Sequence, residues 1–260
     1  MKVSSQSNYN PNFNAKLLSQ WRCTNAKNKA KNISIISVEK NDLDFMQKFL
    51  GYIEKQKNES TSAKEIMIYA TKTIIEILDS NLPQINKIKM FIATYNNKPC
   101  GIFVANVPKM YAKDEAYVYS SRHNSGRNET EMDWLVTWNP TGNEKLKGVG
   151  KALVGEYFHT VKKDSFRDVF VRSEVPEKSF ATYFYEGLGF ERLSTRRLKL
   201  SNKNSTPSII KDFGSESDDD TIPMIITRSK IQTKASELAK EMNRQEFKKN
   251  SIDAENLIDI

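Results

Sequence analysis

Apolar positions along the chain change period several times, and each change marks an element. Ile33 to Val38 is short, apolar and rich in β-branched residues, which predicts a strand. Asn41 to Lys55 and Ser62 to Asp79 space their apolar residues for helices. Lys89 to Tyr95 and Pro99 to Val107 are apolar runs broken by Asn96-Asn97-Lys98, which predicts a hairpin. Met132 to Trp138 (MDWLVTW) predicts a central strand that ends at Asn139-Pro140. Helical spacing returns at Val149, Ala152, Leu153, Tyr157 and Val161. Asp168 to Arg172 then reads as a strand, Ala181 to Glu186 as a short helix with a glycine stop, and Arg192 to Leu200 and Ile222 to Arg228 as the last two strands.

Between the central strand and the helix at 149 lies Lys145-Leu146-Lys147-Gly148-Val149-Gly150-Lys151. The first N–H groups of a helix lack intrahelical partners and carry the positive end of the helix dipole. Gly148 and Gly150 let an anion approach the backbone, and Lys147 and Lys151 add charge around it, so the stretch reads as a phosphate cradle. A P-loop would need four residues between its first glycine and Gly-Lys-Ser/Thr, and here Lys151 is followed by Ala152. A dinucleotide fingerprint would need glycine where Leu153 stands.

A second motif follows, Ala181-Thr182-Tyr183-Phe184-Tyr185-Glu186-Gly187-Leu188-Gly189-Phe190. Together, KLKGVGKAL at 145–153 and AxxFYExLGF at 181–190 resemble the acyl-CoA-binding motifs of the GNAT N-acetyltransferase superfamily, in a diverged bacterial-type form. Two positions depart from the pattern: Lys145 stands where Gln or Arg is usual, and Lys178 where Asn is frequent. The resemblance implies an α/β (α+β) fold, a mixed and mostly antiparallel sheet flanked by helices, over residues 33–228. The family's order is strand, two helices, three strands, helix, strand, helix and strand, which the elements above match, with Arg192 to Leu200 and Ile222 to Arg228 as the last two strands.

The resemblance also implies acetyl transfer from acetyl-CoA, as co-substrate, to a primary amine of a protein, a polyamine or another small molecule. Such transfer needs a neutral amine, an oriented thioester and a proton for the departing thiolate. A phenol, with a pKa near ~10, can supply that proton, and Tyr185 occupies the family's general-acid position, with Tyr183 its neighbour on another helix face. Strand alternation puts Glu131 and Asp133 on one face and Met132 and Trp134 on the other, so either carboxylate can serve as base. Lys145, Lys147, Gly148, Val149, Gly150 and Lys151 are expected on the pyrophosphate. The backbone of Val136, Thr137 and Trp138, at the splayed end of the central strand, is expected along the pantetheine arm.

Composition adjusts the picture at the ends. Of 260 residues, 1–32 hold lysines, arginine, Asn and Ser but no acid, which reads as a flexible basic arm with a short helix near Leu17 to Trp21. Residues 229–260 carry Ile231, Ala235, Leu238 and Met242 as a narrow stripe, an amphipathic helix expected to pack on its own domain. Cys23 and Cys100 fit neither a disulfide framework nor a metal site, and no membrane span or secretory signal is evident. A cytoplasmic protein is expected, with secretion as a bacterial effector the alternative. The formal net charge of +8 keeps other functions open: an acetyltransferase of aminoacyl-tRNA, or a silent module that binds acyl-CoA or nucleic acid. Acceptor choice falls to two insert-like stretches, Lys109 to Asn128 and Ser201 to Thr221, the second carrying the acidic run Glu216 to Asp220.

Overall fold

The computed structural model describes residues 16–55, 61–80, 88–105, 128–139, 145–163, 169–176, 180–192 and 221–247. Strands β1 (Lys16–Asn25) and β2 (Ala30–Ser37) precede helices α1 (Leu43–Lys55) and α2 (Thr61–Asp79). Strands β3 (Lys89–Tyr95), β4 (Lys98–Ala105), β5 (Asn128–Thr137) and β6 (Leu146–Lys147) lead into α3 (Val149–Lys163). Then come β7 (Val169–Pro176), α4 (Phe180–Gly187), β8 (Glu191–Arg192), β9 (Thr221–Thr227), α5 (Arg228–Glu241) and β10 (Gln245–Glu246). The sheet runs β10-β1-β2-β3-β4-β5-β7-β9-β8, with β6 paired to β1. Among the described strands, β5 and β7 form the one parallel pair.

The seven strands from β2 to β9, β6 aside, follow the expected order with α1 and α2 after the first, α3 before β7 and α4 before β8. The chain therefore has the expected α/β (α+β) architecture, a mixed and mostly antiparallel sheet flanked by helices. Hydrophobic alternation divides the core between the two faces of the sheet. Ile36, Ile92, Ile102 and Val104 meet Phe49, Ile53 and Met67 of α1 and α2 on one face. Ile33, Ile35, Phe91 and Phe103 meet Leu153, Tyr157, Phe158 and Leu238 of α3 and α5 on the other. The β3–β4 hairpin turns at Asn96 and Asn97, whose φ values of 47° and 60° suit the two-residue turn that matches strand twist.

One expectation about the ends is corrected. Residues 16–25 are a strand, neither flexible arm nor short helix: β1 pairs antiparallel with β2 from Lys16 to Thr24 and buries Trp21 and Cys23 on the α3 face. A period of two, Ser19, Trp21 and Cys23, was masked by the polar Ser19, whose hydroxyl is buried on a carboxylate partner, Glu156. Helix α5 is an integral layer of the core. The stripe of Ile231, Ala235, Leu238 and Met242 is buried against the chain's own core, as anticipated.

Both ends are joined at one buried knot. Glu156 of α3 accepts hydrogen bonds from Ser19 Oγ (2.6 Å), Trp21 Nε1 (3.1 Å), Arg244 Nε (2.9 Å) and Arg244 Nη2 (2.8 Å). The Arg244 guanidinium lies 5.8 Å from the Trp21 ring centre. Burial opposes the charge on Glu156, but Arg244, Ser19 and Trp21 outweigh it and hold the carboxyl below the usual carboxylate range. β10 adds to the outer edge of β1 through Ser19 and Gln20.

Candidate active site

The central feature is a fork between β5 and β7. The two strands pair from Asn128↔Val169 to Glu131↔Arg172 and then separate: β5 continues against β4 to Thr137, and β7 continues against β9 to Pro176. A bulge sits at the fork, because Val104 faces Trp134 while Ala105 faces Met132, leaving Asp133 as the extra residue. This corrects the expected alternation. Met132 is buried on the α3 face and Trp134 packs on the α1 and α2 face, so a simple period of two does not cross Asp133. Asp133 is half-buried, and the Glu131 side chain lies outside the described residues.

Past the fork, the hydrogen-bond phase of β5 decides which backbone groups face the gap. Trp138 N–H donates to the Cys100 carbonyl at 3.0 Å. Antiparallel partners alternate between bonded and non-bonded pairs, so Val136 and Trp134 also turn their groups to β4. Leu135 and Thr137 turn theirs to the opposite side, toward the gap. Of the three residues expected along a pantetheine arm, Thr137 thus presents its backbone there, whereas Val136 and Trp138 do not. Leu135 was missed, although MDWLVTW contains it, because the phase of a ladder is set by its partner strand. Trp138 is a core residue beside Phe49, its ring centre 6.4 Å away, and its indole N–H finds no acceptor among the described residues.

The glycine loop reaches α3 by way of β1. Lys147 faces Thr24 and Leu146 faces Asn25, so β6 is held on the strand that was read as an arm. Gly148 adopts a φ of +99°, which permits the sharp entry into α3, and its carbonyl accepts the Ala152 N–H at 3.0 Å. The amides of Val149, Gly150 and Lys151 consequently precede the first helical hydrogen bond. At Gly150 three elements converge: a Cβ there would lie 3.4 Å from the Phe184 ring of α4 and 3.8 Å from Leu135 of β5. These are ordinary contact distances, so packing within the chain does not itself demand glycine. Lys145 and Lys147 are exposed, while Lys151 pairs with Glu241 at 3.2 Å.

Helix α4 brings the tyrosines. Tyr185 is buried on the α3 side, with ring centres of Phe184 and Phe190 at 5.2 and 5.1 Å, both edge-on. Tyr183 points outward and is 65% exposed. Gly189, at φ +89°, ends the α4 turn, and Phe190 N–H donates to the Tyr185 carbonyl at 3.0 Å. Phe184 was not singled out from the sequence, although it lies within AxxFYExLGF. Among the described residues, no group of three His, Cys, Asp or Glu side chains could hold a metal, and no helix is long and apolar enough to cross a membrane. The acidic run Glu216 to Asp220 and the stretch Lys109 to Arg127 lie outside the described residues.

No family model and no curated protein matches the sequence. Solved structures do resemble the fold. A putative GNAT-family acetyltransferase from Desulfovibrio desulfuricans has 15% identity and a TM-score of 0.41, covering 75% of this chain and 98% of its own. Mycobacterium smegmatis RimJ, in complex with CoA-disulfide, has 9% identity and a TM-score of 0.46, covering 86% of this chain and 93% of its own. Aminoglycoside acetyltransferase AAC(6')-Ib, in complex with coenzyme A, has 17% identity and a TM-score of 0.41, covering 77% and 98%. At these identities the likeness says nothing about individual residues or acceptors.

Proposed function

We propose that the chain is an N-acetyltransferase that moves an acetyl group from acetyl-CoA to a primary amine. The observation that carries this is the convergence at Gly150, where the α3 N-terminus, the open side of β5 and the aromatic face of α4 meet. Such a junction suits a ligand with a pyrophosphate at one end and an amide-rich arm at the other. The donors present match it: unpaired first-turn amides for the pyrophosphate, and alternate backbone groups of β5 for the arm. Acetyl-CoA would supply the activated thioester.

The chain's residues then divide the work. The amides of Val149, Gly150 and Lys151, with the side chains of Lys145 and Lys147, hold the pyrophosphate; Lys151 contributes from its exposed pair with Glu241. Backbone groups of Leu135 and Thr137 orient the arm within the fork. Asp133 or Glu131 takes the proton from the amine, whose reference pKa near ~10.4 keeps it protonated at neutral pH. Tyr185 gives its phenolic proton to the departing sulfur.

Thermal-shift titration with acetyl-CoA, followed by thiol release against protein, polyamine and aminoacyl-tRNA acceptors, tests the proposal. Tyr185→Phe is expected to keep acetyl-CoA affinity and lower kcat by about 10²–10⁴, the usual contribution of a positioned acid. Full activity in that variant removes Tyr185 from the role, and absence of any acetyl-CoA binding removes the function.

A further inference from the structure

Thr24 of β1 pairs twice, with Ala30 of β2 and Lys147 of β6, and Asn25 pairs with Leu146, so the turn that follows, residues 26–29, is fixed beside the glycine loop. Because Asn25 faces Leu146 in an antiparallel pair, Ala26 and Lys145 leave that pair at the same end. The turn is internally tied. Asn25 Oδ1 accepts from the backbone N–H of Lys27 (3.1 Å) and Lys29 (2.9 Å). Asn25 N–H donates to the Lys29 carbonyl at 3.0 Å, and Asn28 N–H to the Asn25 carbonyl at 2.9 Å, with Asn28 at φ 56°.

This architecture gathers Lys27 and Lys29 with Lys145 and Lys147 at one edge. All four are exposed, and among the described residues no carboxylate forms an ion pair with any of them. Lys16, Lys151, Lys230 and Lys234 elsewhere do have such partners. Four like charges on a tied turn and a tied loop repel one another, and a multivalent anion relieves that repulsion. The acyl-CoA reading, on which this inference rests, already assigns the pyrophosphate to Lys145, Lys147 and the α3 amides. Coenzyme A carries a further phosphate, a monoester on the ribose 3′ oxygen, with a charge near −1.5 to −2 at neutral pH, as in other phosphomonoesters.

We propose that Lys27 and Lys29, on the β1–β2 turn, bind the 3′-phosphate of coenzyme A and thereby select it over its 3′-dephospho form. The strand that extends the sheet at its N-terminal edge thus carries a specificity-determining element. Surface lysines on a phosphate act as point charges, so the preference is moderate and salt-dependent.

Calorimetric titration of the full chain with acetyl-CoA and with 3′-dephospho-acetyl-CoA measures it. The wild-type protein is expected to favour acetyl-CoA by about tenfold, the sum of two exposed charge contacts. The double variant Lys27→Gln, Lys29→Gln should bring that ratio near one by weakening acetyl-CoA alone. Lys40→Gln removes one charge at the opposite end of β2 and should leave the ratio intact. Equal affinity of the two ligands for the wild-type protein, or an unchanged ratio in the double variant, overturns the inference while leaving the acyl-CoA site standing. If neither ligand binds, the acyl-CoA reading falls, and the inference falls with it.

Discussion

Replacing Glu156 by Gln asks whether β1 and the segment after α5 are integral to the proposed cofactor site. The Glu156 carboxylate takes four hydrogen bonds at 2.6–3.1 Å from Ser19, Trp21 and both arms of the Arg244 fork. Its side chain and that of Arg244 are 5% and 6% exposed. Glutamine keeps the shape, but its amide nitrogen must face a donor, and the buried guanidinium keeps only the half-exposed Glu246, 3.0 Å from Nη1, as counter-charge. Removing one member of such a pair costs about 3–5 kcal/mol. At roughly 2–4 °C per kcal/mol for a domain near this size, the melting temperature should fall by about 6–20 °C at pH 7. The folded pKa of Glu156 lies below its unfolded value of about 4.3, so its contribution is complete above that pH and is lost as pH falls through the folded value. The gap between variant and wild type should therefore stay constant from pH 6 to 8 and narrow below about pH 4. Because β1 also holds β6 through Thr24 and Asn25, the variant should bind acetyl-CoA more weakly at temperatures where it is still folded. Thermal unfolding by circular dichroism and calorimetric titration supply both readouts. A loss under 1 kcal/mol at pH 7, or a gap that widens in acid, refutes the reasoning.

Two further outcomes depend on packing. Gly155→Ala would set a methyl 2.6 Å from Trp21 Cη2, and the indole cannot retreat without breaking its bonds to Ser19 and Glu156. Overpacking of about 1–3 kcal/mol should exceed the ~1 kcal/mol gained in helix propensity, so the urea midpoint should fall; a rise would show that Trp21 has room. Burial pushes the Cys23 thiol up to about 12, and burial together with the neighbouring Cys23 pushes Cys100 above the usual thiol range. Neither should react with a disulfide reagent in the native protein at pH 8, and both should react in guanidinium; titration of either thiol in the folded state contradicts this.

Local patterns fixed much of this protein. Asn96-Asn97 between two apolar runs specified the hairpin, since both residues tolerate positive φ. Val149, Ala152, Leu153, Tyr157 and Val161 specified the buried face of α3 because a helix returns such positions to one side. The two glycine-containing motifs specified where a cofactor site should be sought, and the structure brings them together at Gly150 and Phe184.

What the sequence could not contain was any property that depends on a partner strand. The bulge at Asp133 arises from the register of β4 against β5, so no window around MDWLVTW discloses that Met132 and Trp134 face opposite sides. The same register sends the backbone groups of Leu135 and Thr137, rather than those of Val136 and Trp138, toward the fork. Residues 16–25 looked like part of a basic arm because residues 1–32 hold lysines and arginine but no acid. Only tertiary structure supplies the long-range partners, Glu156 at 137 positions from Ser19 and Lys147 opposite Thr24, that turn this segment into a strand and place it beside the glycine loop. Periodicity reports which face a residue shares with its neighbours along the chain; it carries no record of what the rest of the chain puts against that face.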